Sequence, residues 1–293
     1  MTPELIANEY LNWLLLFIIY LFAALLMLGL GRWVFRLVQP RIGISDQLTK
    51  HDNLAFAFLY VGYFLGLLLA VGSAIVGPSL GIVADLIAIG SYSVLGIVLL
   101  NISTFITDKA LLRHFSVRKE VIRDKNSGAG IIEGANYFSA GLILFGAITG
   151  ESSSLGVGML TALIYWAIGQ LLLLLTGFLY QVSLKYDVHE HIEKDNVAVG
   201  VGFAGALIAI ANLIRHGLMG SFSSWSETFI EVGFEVGLGM ISIPIVRFLV
   251  DKILLPGARL TDEIVNQEKP NIGAALIEAA AYIGGSVLIT WCI

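Results

Sequence analysis

The chain has 293 residues, of which 57% are hydrophobic and only 13% charged, with a formal net charge of −5. Soluble domains carry roughly 25% charged residues, so this composition excludes a soluble globular protein. The net charge itself says nothing about nucleic acid, which is not expected as a partner, and the single cysteine, Cys292, excludes an intrachain disulfide framework.

A bilayer core about 30 Å thick takes about 20 apolar helical residues. Eight stretches meet that requirement, roughly 12–36, 54–77, 86–107, 127–149, 155–182, 197–215, 228–250 and 272–292. They leave no room for a soluble domain and predict an all-α polytopic membrane protein. The opening "MTPELIANEY" is acidic and lacks the basic start of a cleaved signal peptide, so the first span is expected to be retained. Four Lys or Arg lie between spans one and two or at their ends, six follow span three, two follow span five, and four end or follow span seven. That puts 16 of 17 basic residues on one side, with Arg215 alone on the other. Basic short loops stay in the cytoplasm, so both termini are expected in the periplasm of an inner-membrane protein. Of the histidines, only His189 and His191 in "VHEHIEK" are close in sequence, and they read as part of a solvated loop rather than a metal site. No nucleophile motif, phosphate loop or dinucleotide fingerprint is present. Neither an enzyme nor a cofactor is expected.

The second half repeats the first. "NSGAGIIEGANY" (126–137) and "NIGAALIEAAAY" (271–282) share seven of twelve residues at an offset of 145. "VLGIVLLNISTFITDKALL" (94–112) and "GLGMISIPIVRFLVDKILL" (237–255) share eight of nineteen at 143, pairing Asp108-Lys109 with Asp251-Lys252. Each half, 1–150 and 151–293, holds four spans, so the copies are parallel and expected to be related by a two-fold axis along the membrane normal. A finer period also runs through the chain. Asn53, Asn126, Asn196 and Asn271 open spans two, four, six and eight, each preceded by a short charged segment. Asn is a preferred helix N-cap, and the charged segments read as two-turn helices at the membrane interface.

These features resemble the YjfL-like bacterial inner-membrane proteins, a domain of unknown function (DUF350) that usually occurs twice per chain. The resemblance rests on the N-x-G-A-x-x-I-E-x-A-x-Y helix closing each half and on D-K-x-L-L after the third span. It covers essentially the whole chain and implies the fold and an inner-membrane location. The family has no established activity and lends no site residues.

Glu133 and Glu278 are the residues that call for a use. Seven residues past their Asn caps, they lie about 10 Å into the hydrocarbon, where a lipid-facing carboxylate costs about 3 kcal/mol. They are therefore expected to face protein, with Tyr137 and Tyr282 one turn on along the same face, and to meet across the axis as a central ion site. A second acidic stripe, Glu227, Glu231 and Glu235, runs down span seven, with Arg215 as the expected partner of Glu227 or Glu231. Arg247 is placed to neutralise Glu278, whereas Thr104 occupies the matching place beside Glu133. Two functions compete. In the first, a proton- or cation-linked transporter or channel uses Glu133, Glu278, Tyr137, Tyr282, Glu231 and Glu235. In the second, a scaffold in the lipid bilayer recruits a cytoplasmic protein or anionic lipid through the basic loop 109–125. A continuous wet cavity reaching the acids favours the first, and a dry core with every acid bonded favours the second.

Overall fold

The computed structural model describes residues 3–77, 79–111, 118–150, 152–219, 224–254, 256–257 and 259–293. Among these, eleven α-helices follow one another: α1 (Pro3–Val38), α2 (Ile44–Thr49), α3 (Leu54–Ser73), α4 (Ile82–Ala110), α5 (Ser127–Ile148), α6 (Leu155–Ser183), α7 (Val188–Glu193), α8 (Val197–Leu218), α9 (Trp225–Leu249), α10 (Leu260–Val265) and α11 (Ile272–Cys292). π-helical turns occupy Arg118–Arg123 and Val250–Leu254. The eight long helices α1, α3, α4, α5, α6, α8, α9 and α11 are each long and apolar enough to cross a membrane. They match the eight expected stretches, with small differences at the ends. Span two stops at Ser73 rather than 77, and span six continues to Leu218, carrying Arg215 and His216 in its last turn.

A unit of about 72 residues recurs four times: a long outer helix, a short interfacial segment, and an inner helix opened by Asn. The Asn side chain builds each unit. Its Oδ1 accepts the backbone N–H three residues on, at 3.0 Å for Asn53 and Phe56, 2.9 Å for Asn126 and Ala129, 3.1 Å for Asn196 and Val199, and 3.0 Å for Asn271 and Ala274. That satisfies one of the donors a helix start leaves free. The Nδ2 reaches further. Asn53 donates to the Val121 carbonyl (2.8 Å), Asn126 to Ile192 (2.6 Å) and Asn196 to Ile264 (2.9 Å). Each cap therefore ties its own helix to the interfacial segment of the next unit. Asp52, Lys125 and Asp195, directly before the first three Asn, adopt left-handed backbone with φ of 43°, 53° and 58°. The fourth connector has Pro270 there, whose ring fixes φ near −65° and bars that turn.

The inner helices stand in a row: α3 packs on α5, α5 on α8, and α8 on α11. The outer helices form a second layer over it, with α4 lying on α3 and α5, α6 on α5 and α8, and α9 on α8 and α11. Contact along the row is backbone to backbone. A Cβ placed on Gly62 would run into the backbone of Gly134, and one on Gly200 would meet the Gly128 backbone. Only small residues permit such approach between membrane helices. The middle of the row is enclosed, with 83% of the α5 span and 89% of the α8 span buried, against 33% of α11. α3 and α11 are not packed against each other, so the halves, although parallel repeats, do not close around a central axis. They are displaced along one open row.

The cap geometry gives a graded prediction. Asn126→Ala removes a cap worth about 1 kcal/mol and the buried bond to the Ile192 carbonyl, about 1 kcal/mol more. Asn271→Ala removes a cap and only an exposed bond to Glu263 within its own unit. Detergent-solubilised N126A should melt well below N271A, and equal melting would remove the inter-unit bond from the account.

Candidate functional site

Glu133 projects from α5 into the interior of the first repeat and is only 3% exposed. The helix carries it there because its small residues (Gly128, Gly130, Gly134) let α3 and α8 close on either side, leaving the acid directed between α1, α3 and α4. Its carboxyl lies within hydrogen-bonding reach of the Asp108 carboxyl at the end of α4. A bond between two carboxyls exists only when one of them holds a proton. Asn136, one turn along α5, donates its Nδ2 to Asp108 Oδ1 at 3.4 Å, and Glu133 Oε1 has no hydrogen-bond partner. Beside the pair is a cavity of about 10 Å³ lined by Phe35, Gln39, Ile42, Leu59 and Tyr137. That is about the space one water needs. Tyr137, expected at the acid, is buried here, its ring edge-on to Tyr63 at 5.1 Å and its hydroxyl directed to Thr104.

The matching place in the second repeat is built differently. Glu278 is fully buried, and Arg247 Nη1 from α9 donates to its Oε1 at 2.5 Å. Tyr282 donates its hydroxyl to the same oxygen at 2.8 Å, and Arg247 Nη2 reaches Thr261 at 3.2 Å. The anticipated Arg247 and Tyr282 partners are therefore in place. Asp251, the counterpart of Asp108, accepts the Leu260 N–H at 2.7 Å and holds the start of α10 instead of meeting the glutamate. Glu133 and Glu278 are not brought together. α8 stands between α5 and α11, and each acid points into its own repeat, so the structure holds two unlike sites rather than one central pair.

The stripe on α9 also divides. Glu235 is buried and its Oε1 meets His216 Nδ1 at 2.8 Å, whereas Glu231 is exposed. Arg215 donates to Asn212 Oδ1 at 3.1 Å and to Met219 Sδ, and among the described residues no ion pair joins it to Glu231. The contact to this stripe comes instead from the neighbouring His216, and goes to Glu235 rather than to Glu227 or Glu231. It was not legible as a partner because His216 reaches α9 only through the packing of α8 on α9.

Asp108 is the site residue that sequence reasoning did not place. Its signal was present, since Asp108-Lys109 recurs as Asp251-Lys252, but recurrence alone could not say which copy faces a glutamate. Residues 112–117 of the basic loop 109–125 lie outside the described residues.

A seam of buried polar groups continues from Asp108 between α4, α5 and α6. Gln170 Nε2 donates to Thr107 Oγ1 at 2.9 Å and Trp166 Nε1 to Ser103 Oγ at 2.7 Å. Asn136 Oδ1, Ser139 Oγ and Gln170 Oε1 are buried without partners. Towards the opposite face, a hollow of about 200 Å³ lined by Tyr92, Thr149, Ser152, Thr161 and Tyr165 adjoins one of about 560 Å³ between α3, α4 and α6.

Fold and site together define an all-α, multi-pass membrane protein built from two parallel four-helix repeats. The chain belongs to the family described as Domain of Unknown Function (DUF350), whose model matches residues 8–148 and again 154–293. It is 24% identical over 247 residues to a UPF0719 transmembrane protein of Aquifex aeolicus (strain VF5), covering 84% of this chain and 88% of the relative. It is 28% identical over 142 residues to a UPF0719 transmembrane protein of Mycolicibacterium paratuberculosis (strain ATCC BAA-968 / K-10), covering 48% of this chain and 89% of that one. No solved structure matches.

The unlike acids should respond differently to substitution. Arg247→Ala leaves Glu278 buried and unpaired, a loss of about 3–5 kcal/mol, and adding Glu278→Gln should recover much of it. Glu133→Gln, which breaks no ion pair among the described residues, should melt within a few degrees of wild type. Thermal melting of the four proteins checks this, and an R247A protein as stable as wild type would show that the pair is not what holds α9 to α11.

Proposed function

We propose that this protein moves protons or a small cation across the bacterial inner membrane, with both termini periplasmic, and that the working site is Glu133 with Asp108. It is read as a transport protein and not as an enzyme. The observation that carries the proposal is a buried carboxyl pair that makes no salt bridge among the described residues, beside a cavity the size of one water. Buried acids in membranes are the usual relays and ligands for ions. Two carboxylates in a low dielectric cannot both stay ionised, so the pair holds one proton when empty. A cation entering between them replaces that proton, and the released proton leaves through the cavity at Gln39. This exchange couples the two movements. The seam of Thr107, Gln170, Ser103 and Trp166 supplies hydrogen-bonding groups for passage towards the opposite face. Glu278, held by Arg247, has no charge left to offer and serves as a structural strut.

The scaffold reading draws its support from that strut and from the largely closed core, and flux separates the two. Purified protein in liposomes loaded with a pH-sensitive dye should show cation-dependent proton movement. Glu133→Gln and Asp108→Asn should each reduce it roughly tenfold or more while melting normally. Unchanged flux in a normally folded E133Q protein would end the transport reading of this site.

A further inference from the structure

The row of inner helices has two free ends, and they are complementary. In every unit the interfacial segment offers two successive carbonyls. The first accepts the backbone N–H of that unit's own Asn: Gln47 for Asn53, Glu120 for Asn126, His191 for Asn196 and Glu263 for Asn271. In the last three units, the second carbonyl, Val121, Ile192 or Ile264, accepts the Nδ2 of the preceding unit's Asn. In the first unit that second carbonyl belongs to Leu48, and among the described residues no Asn reaches it. At the other end, among the described residues Asn271 Nδ2 donates only to Glu263 Oε2 of its own unit, at 2.8 Å. Asn53 makes the same kind of local bond, to Gln47 at 2.9 Å, and still bonds Val121. An amide nitrogen has two hydrogens, so Asn271 keeps one for a further acceptor.

The helix faces at these ends match as well. The positions by which α3 meets α5 include Gly62 and Gly66, which on α11 correspond to Ala280 and Gly284. A Cβ on Gly284 would meet nothing within 4 Å, and the flanking Ile277 and Leu288 are 38% and 59% exposed. The surface of α5 that receives α3, at Gly134 and Tyr137, corresponds on α3 to Val61 and Phe64, which are 56% and 47% exposed. One end therefore shows small residues and the other shows side chains to fill the space above them. α1, of which only 6% of the span is buried, lies beside α3, as α4 lies beside the α3–α5 junction.

We propose that a second copy of this chain occupies the free face of α11: α11 of one copy packs on α3 of the next, with Asn271 Nδ2 bonded to the Leu48 carbonyl. The interface is the one already made three times within the chain, continued between chains. Being head to tail, it propagates around a closed ring or along a file in the membrane plane.

Disulfide trapping tests this in a Cys292→Ser background. Gly62 against Gly134 translates to Ala280 against Val61 of the neighbour, and Gly66 against Tyr137 translates to Gly284 against Phe64. Membranes carrying A280C together with V61C should, on mild oxidation, yield linked dimers and larger species, whereas each single substitution should yield none. The pair G284C with F64C gives a second reading should the first fail to fold. Asn271→Ser retains a capping oxygen but loses the amide donor, and should cut the yield several-fold with melting little changed. Crosslinking by A280C alone would mean α11 meets its own copy, and would overturn the head-to-tail arrangement. No product from either pair in folded protein would overturn it too, as would an unaltered yield in N271S.

Discussion

The organising interaction is a single side-chain amide at the edge of the membrane. A helix that starts there must satisfy backbone donors before it enters hydrocarbon, where an unmet polar group costs several kcal/mol. Serine or aspartate would meet that need. Only an amide meets it with one atom and offers hydrogens with another. In this chain those hydrogens are spent on the carbonyl of the following unit. One residue type therefore caps four helices and sets the register between them. The left-handed residues before the first three caps turn the chain so that the amide faces both ways.

Much of this was legible in the sequence. The eight spans follow from hydrocarbon thickness, and the four Asn and their charged leaders revealed the finer period. The order of the helices in space was not legible. A duplicated set of apolar spans has the same hydropathy whether its halves close around an axis or stand in a row. The distinction lies in how many faces of each helix must be small. α8 carries Gly200, Gly202, Gly205, Ala204, Ala209 and Ala211 on faces turned to both neighbours, and is buried almost throughout. α11 needs them fully on one side only. Reading that difference requires knowing which neighbour each face meets, and this is information of the fold rather than of the sequence.

The same limit applies to the acids. The spacing put Arg247 beside only one of the two glutamates, and the structure has it there. It could not say that each acid looks into its own bundle. Nor could it separate Asp108 from Asp251, whose side chains share a sequence context but serve a carboxyl partner in one repeat and a backbone N–H in the other. Duplication supplied two equal starting points, and a Thr-to-Arg difference at 104 and 247 was enough to give them different chemistry.

The backbone contacts along the inner row also have a mechanical meaning. Helices held apart by long side chains can slide or roll by exchanging rotamers. Where Gly62 abuts Gly134 and Gly200 abuts Gly128 there is no such lubricating layer, and a rotation of one helix must carry its neighbours with it. The inner row is a stiff plate. Compliance is concentrated in the outer layer, where α9 contains Pro244 and ends in a π-turn, and where α1 touches little else. Any rearrangement that alters access to Asp108 on α4 is then a movement of slats over a fixed plate, and the glutamate that meets it stays where the plate holds it.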